Sequence, residues 1–127
     1  MPAKPIKPTA GPQRQKGDAI EQLACRHLER QGLALVQRNY RSPFGEIDLV
    51  MQHADTLVFV EVRFRQQTRF GLPAETVDAR KQARLRATAE HYLQRDGRAS
   101  KKPCRFDIVA VTHDPDGERL DWLQNAF

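Results

Sequence analysis

The sequence predicts one domain of mixed α/β (α+β) class, with a central mixed sheet flanked by helices. Three observations predict it. Two stretches, 17–31 and 76–95, space their apolar residues at helical intervals. Shorter segments between and after them have the alternation, or the β-branched and aromatic content, of strands. Their order is helix, three strands, helix, two strands, a meander covered by helices. The chain has 127 residues, the length of one domain. At that size folding buries roughly two thirds of the unfolded surface, enough for an ordinary core without disulfide or zinc staples.

Residues 1–16 hold four of the eight prolines and almost no apolar side chains. Such a segment cannot bury enough surface to offset its ordering entropy. It is expected to be a disordered basic tail, either a solubilising leader or a loose phosphate-binding arm, with the folded domain at 17–127. From Gly17 to Gln31 the apolar stripe is Ile20, Leu23, Ala24, His27 in part, and Leu28, and Gly32 is a natural C-terminal stop. Residues 33–40 read as a strand, and Ser42-Pro43-Phe44-Gly45 as a turn.

Residues 46–51 alternate, with Ile47, Leu49 and Met51 on one face and Glu46, Asp48 and Val50 on the other. Residues 57–65 (LVFVEVRFR) form the most β-prone run, and 66–75, with Gly71 and Pro73, a loop. Val77, Leu85, Ala89, Tyr92 and Leu93 then mark the second helix, which Gly97 ends. A basic loop at 98–103, a strand at 105–111, a tight turn at 114–117 and a last strand at 119–123 complete the chain.

The composition excludes several classes. No apolar run approaches the roughly 18–20 residues of a membrane span, and the first residues lack the apolar core of a secretory signal. Cys25 and Cys104 stand far apart, outside any CxxC spacing, as expected in a reducing cytoplasm. The four histidines make no zinc-like cluster.

The formal charge is +5, unevenly spread. Residues 17–62 hold 4 basic and 7 acidic groups, and 63–105 hold 12 basic and 4 acidic. An acidic block therefore precedes a strongly basic one, a pattern suited to an anionic polymer.

The sharpest feature of the acidic block is Gly45-Glu46-Ile47-Asp48, followed by Glu61-Val62-Arg63. A hairpin turning between Ala54 and Asp55 pairs residues whose numbers sum to 109, so Asp48 faces Glu61 and Glu46 faces Arg63. Direct cross-strand neighbours have Cβ atoms about 4.5–5.5 Å apart, and like charges there are destabilising. Two such carboxylates want a cation. Arg63 could supply it, in a salt-bridge patch of Asp48, Glu61 and Glu46 with Arg63 and Arg65. A bound Mg²⁺ or Mn²⁺ could also supply it, since hard oxygen ligands suit those ions. Phe59 shares the face of Glu61, so that face should be partly covered.

A wider set of residues then fits together. Glu21 and Ala24, Arg38-Asn39-Tyr40-Arg41, Gly45-Glu46-Ile47-Asp48-Leu49, Phe59-Val60-Glu61-Val62-Arg63 with Arg65, Lys81, Arg105-Phe106-Asp107 and Asn125-Ala126-Phe127 resemble the bacterial YraN family. That family is grouped with the restriction-endonuclease-like, PD-(D/E)xK superfamily, near Holliday-junction resolvases. The resemblance implies an α-β-β-β-α-β core. It also implies a divalent-metal site for phosphodiester hydrolysis, in which Glu21 matches the helix acid, Asp48 the strand Asp, and Glu61 the next metal ligand. Arg63 falls where the superfamily usually has Lys. Arg stays protonated and cannot act as a base, but it can position a phosphate.

Glu21, Asp48, Glu61 and Arg63 are therefore the expected catalytic residues, the first three binding Mg²⁺ or Mn²⁺. Arg41, Arg65, Arg80, Lys81 and Arg84 are the expected nucleic-acid contacts; by spacing alone Lys81 could equally be a snorkelling lysine. The expected activity is metal-dependent cleavage of structured or single-stranded nucleic acid, DNA rather than RNA. The alternatives are a catalytically inactive nucleic-acid-binding module of the same fold, and an adaptor for an acidic protein. Superfamily analogy adds a homodimer. Asp107 is expected to pair with Arg105 in a structural role, with Trp122 and Phe127 in the core.

Overall fold

The computed structural model describes residues 12–66 and 77–127. The elements are α1 (Pro12–Arg30), β1 (Ala34–Ser42), β2 (Gly45–His53), β3 (Thr56–Gln66), α2 (Ala79–Arg95), a short 3-10 turn (Ala99–Lys101), β4 (Cys104–Asp114) and β5 (Gly117–Leu123). The strands form one sheet in the order β1-β2-β3-β4-β5. All neighbours are antiparallel except β3 and β4, which run parallel with α2 as the crossover. This is the mixed five-stranded sheet with two flanking helices that the element order predicts. Helix α1 begins at Pro12, so its first turn takes in residues expected in the tail. The remaining tail, 1–11, and most of the expected 66–75 loop lie outside the described residues.

The core has two layers, one on each face of the sheet. Ile20, Ala24, Cys25 and Leu28 of α1 pack on Leu49, Met51, Val58, Val60, Val109 and Val111. Leu85, Ala89 and Tyr92 of α2 pack on Val50, Leu57, Phe59 and Ile108. Alternating residues of β3 thus serve opposite layers, as the period of two requires. Leu23, expected on the buried stripe of α1, is 36% exposed, and Cys25 takes the inward position.

Helix α1 stops because Gly32 adopts φ +100. Its N–H bonds Glu29 O at 3.0 Å while the Leu33 N–H reaches back to Leu28 O at 3.1 Å, closing a Schellman motif whose two leucines meet in the core. Helix α2 starts at Asp78, whose carboxylate accepts the Lys81 N–H at 2.7 Å.

Candidate active site

The hairpin between β2 and β3 sets the geometry. Its two-residue turn is Ala54-Asp55, with Ala54 at φ 53. The ladder runs from His53–Thr56 to Leu49–Val60 in the register that places Asp48 opposite Glu61. It stops one pair short of them. The next N–H of β3, that of Val62, donates instead to Asp48 Oδ2 at 2.8 Å. A side-chain carboxylate has replaced the backbone acceptor.

The β2 chain turns over at the same point. Ile47 shares parity with Leu49 but packs with Tyr40 in the α2-side layer, whereas Leu49 packs under α1. The simple alternation over 46–51 therefore fails at Asp48, because the strand leaves the β3 ladder there. The expected pairing of Glu46 with Arg63 fails for the same reason. Glu46 pairs with Arg41 across β1, with Arg41 Nε 3.4 Å from Glu46 Oε2.

Asp48 hydrogen-bonds the carboxyl groups of both Glu61 and Glu21. The three acids named from the sequence thus meet, brought from α1, β2 and β3. Glu61 lies in a central strand at 8% exposure, on the parity of Leu57 and Phe59, beneath α2. Lys81 Nζ reaches it from the first turn of α2, 3.2 Å from Oε2. The Asp78 cap fixes the backbone from which Lys81 extends.

Asn39 belongs to the Arg38-Asn39-Tyr40-Arg41 string of the resemblance, which assigns it no role. It falls between Arg38 and Tyr40 on β1, opposite Asp48, with φ 52 in the left-handed region. Its amide, turned so that nitrogen faces the acids, donates to Glu21 Oε1 and Glu46 Oε1 at 2.9 Å each. Arg38 Nη2 lies 4.0 Å from Glu21 and Arg38 Nη1 donates to Gln22 at 2.7 Å. The available signal was an asparagine in mid-strand, a residue that strands disfavour.

Residues 20–111 match the family described as "Uncharacterised protein family UPF0102". This chain belongs to that family. It is the YraN family of the sequence resemblance. A UPF0102 protein of Nitrosococcus oceani is 51% identical over 114 residues, covering 90% of this chain and 92% of that protein. One from Pseudomonas aeruginosa is 52% identical over 117 residues, covering 90% and 93%. One from Pseudomonas fluorescens is 46% identical over 113, covering 89% and 92%. Among solved structures, Pyrococcus furiosus SfsA in complex with Ca²⁺ aligns at a TM-score of 0.34 and 9% identity. That alignment covers 88% of this chain and 63% of the SfsA chain, so this chain spans less than two thirds of it.

In this UPF0102 chain the acids are held against their mutual repulsion. Burial pushes the Asp48 carboxyl up to about 9; the hydrogen bond and charge of Glu61 push the same way, and the Val62 N–H opposes them. Glu21 is raised too, first by burial and then by the charge of Glu46, with Arg38 opposing. The interactions at Asp48 all favour the protonated form of its carboxyl except the Val62 N–H.

Among the described residues no group of three His, Cys, Asp or Glu side chains is spaced as a ready metal cage. Two facing carboxylates are nonetheless the donor set Mg²⁺ commonly takes, the remaining ligands being water and substrate phosphate. Asp48 and Glu61 fit such an ion in oxygen chemistry, and two carboxylates against one lysine leave room for a further cation.

The basic residues divide. Arg63 is half-buried on β3, two residues beyond Glu61 and opposite Ala110. Arg65, Arg80 and Arg84 are exposed, and Arg41 is held by Glu46. Arg86, also on α2, covers the Phe106 and Phe127 rings at 5.4 and 5.5 Å. No helix among the described residues is long and apolar enough to cross a membrane.

Proposed function

We infer that this UPF0102 protein is a divalent-metal-dependent nuclease acting on structured or single-stranded nucleic acid, DNA rather than RNA. One observation carries the reading. The fold spends a backbone hydrogen bond of β3 to hold Asp48 against Glu61, and among the described residues Lys81 pairs with Glu61 while no cation pairs with Asp48. A purely structural sheet gains nothing from that arrangement, whereas a metal site requires it.

Asp48 and Glu61 would hold Mg²⁺ or Mn²⁺, with Glu21 accepting a hydrogen bond from an ion-bound water. The ion supplies charge neutralisation and an acidified water. Lys81 balances Glu61 and lies where it can turn to a phosphate oxygen. Arg63 stays charged and contacts the phosphate without exchanging a proton. The exposed Arg80 and Arg84 extend the cationic surface along α2 and give affinity without sequence choice.

The test is cleavage with Mn²⁺ or Mg²⁺ over duplex, single-stranded, flap and four-way substrates. Wild type should cut at least one, and Asp48→Asn should reduce the rate by at least about a hundredfold, the scale on which catalytic groups act. Equal traces from both proteins on every substrate would end the enzyme reading.

The presence of Arg63 at the usual lysine position supports a second reading, a binding module of the same fold without catalysis. It expects salt-sensitive nucleic-acid affinity that survives both Asp48→Asn and chelation of metal.

A further inference from the structure

We propose that Phe44 is a stacking platform for an unpaired base, and that the groove beside it carries the backbone of the same strand toward the carboxylates. This rests on the nucleic-acid reading above and adds a substrate class, a strand with at least one unpaired base near the scissile phosphate.

Phe44 sits at the tip of the β1–β2 turn and is 53% exposed, more than Leu23, Leu35 or Val36, the other exposed large apolar residues among the described residues. The turn that presents it is pinned. Phe44 N donates to Ser42 Oγ at 3.0 Å, Ser42 Oγ donates to Thr88 Oγ1 at 3.2 Å, and Thr88 Oγ1 donates to Arg84 O at 2.8 Å. Gly45 takes φ +154, a backbone conformation that residues with side chains rarely adopt, and lies in ordinary contact range of Thr88 and Arg84 on α2. An apolar ring is therefore held out in water by a turn fastened to α2, with one edge toward His91 at 6.3 Å between ring centroids.

Two grooves flank the ring. One, of about 360 Å³, is lined by Gly45, Glu46, Lys81 and Arg84. The other, of about 340 Å³, is lined by Arg86, Glu90, His91 and Gln94. Lys81 is the same residue that meets Glu61, so the first groove and the acid cluster share that lysine.

The first groove is walled mainly by polar groups, which argues against an apolar protein surface as the partner there, since such a partner needs a contiguous apolar patch. One π face beside two cations suits a nucleotide instead. Bases stack on aromatic rings whatever their sequence, while nearby cations track the phosphates. A base inside a duplex has no free face to offer, hence the requirement that it be unpaired.

The experiment measures fluorescence anisotropy of the full chain in chelator, with labelled oligothymidylate and a blunt duplex of equal length. Phe44→Ala should weaken oligothymidylate binding about tenfold and leave the duplex within about twofold. Phe44→Trp should retain the wild-type affinity. Arg84→Ala should weaken both ligands. Phe44→Leu keeps apolar bulk without the π face and reads the same loss should the alanine variant fold poorly.

Unchanged oligothymidylate affinity in Phe44→Ala and Phe44→Leu overturns the proposal. So does the conversion of a dimer to a monomer by Phe44→Ala with unchanged affinity, which would make the ring a contact between copies. Wild type that binds neither DNA at low salt overturns the nucleic-acid reading as well. A selective Phe44 effect in a chain that cleaves nothing supports the platform and removes only the hydrolysis.

Discussion

Asp48 and Asp107 are both withdrawn from water, on strands that flank β3 on either side, and the fold treats them in opposite ways. Asp107 is fully buried and surrounded by donors. Arg105 Nε lies 3.0 and 3.2 Å from its two oxygens, Trp122 Nε1 donates at 2.9 Å and the Asn125 N–H at 2.9 Å. Asp48 has one backbone donor and two carboxyl neighbours. A carboxylate that serves the fold is saturated with donors inside the protein, as burial of charge demands. One left short of donors is open to a partner from outside, and the proposed function supplies a cation there.

The largest effect expected from breaking this contrast is at Asp107. Replacing it by Ala takes the carboxylate from Arg105, which keeps His53, and leaves the indole N–H and a backbone N–H without their acceptor. Urea unfolding should show a loss of about 3–5 kcal/mol, the cost of leaving one partner of a buried ion pair alone. A loss under about 1 kcal/mol would mean that Asp107 is not the anchor described.

Asp48→Asn should act in the other direction on stability. The group ordinarily titrates near 3.8 and in the folded chain near 9, so between these limits the unfolded chain has released a proton that the folded chain keeps. The stability it contributes is full below the lower value and is lost as pH rises toward the upper one. At pH 8 the Asn variant should exceed wild type by at least about 1 kcal/mol, the scale of a single-unit shift, and its stability should vary less with pH. Added Mg²⁺ should stabilise wild type more at pH 8 than at pH 6, because binding must displace the proton, and should leave the variant unmoved. Parallel pH profiles of the two proteins would refute the strained acid pair.

The smallest effect is a control on register. Ala54 adopts φ 53 in the turn that pairs β2 with β3, a conformation costly for a residue with a Cβ. Ala54→Gly should raise stability by about 0.5–1 kcal/mol, equally at pH 5 and pH 8. A pH-dependent gain would show that the turn and the acid pair are coupled.

How legible was this site? The facing of Asp48 and Glu61 could be read because hairpin register follows from one turn, and a period of two fixes what lies opposite. Asp107 and Arg105 could be read because they are two residues apart on one strand. The exit of Asp48 from the ladder could not be read, since nothing in a run of alternating residues marks where a side chain replaces a backbone acceptor. The meeting of Lys81 with Glu61 depends on how α2 docks over the sheet, which spacing within the helix does not encode. Phe44 looked like any turn residue until Thr88 and Gly45 were seen to fasten that turn. The overall order of elements was legible because each helix and strand is long enough to repeat its period.

Strand β1 has a consequence beyond chemistry. It is an outer strand of the sheet, and a straight outer strand is a template on which another chain can add. Its pairing with β2 slips between Leu35 and Gln37, and its backbone turns left-handed at Asn39. Those irregularities bend the row of outward N–H and C=O groups out of register with any regular strand laid beside it. The residue that steadies the acids is thus also one that keeps the sheet from growing sideways into aggregates.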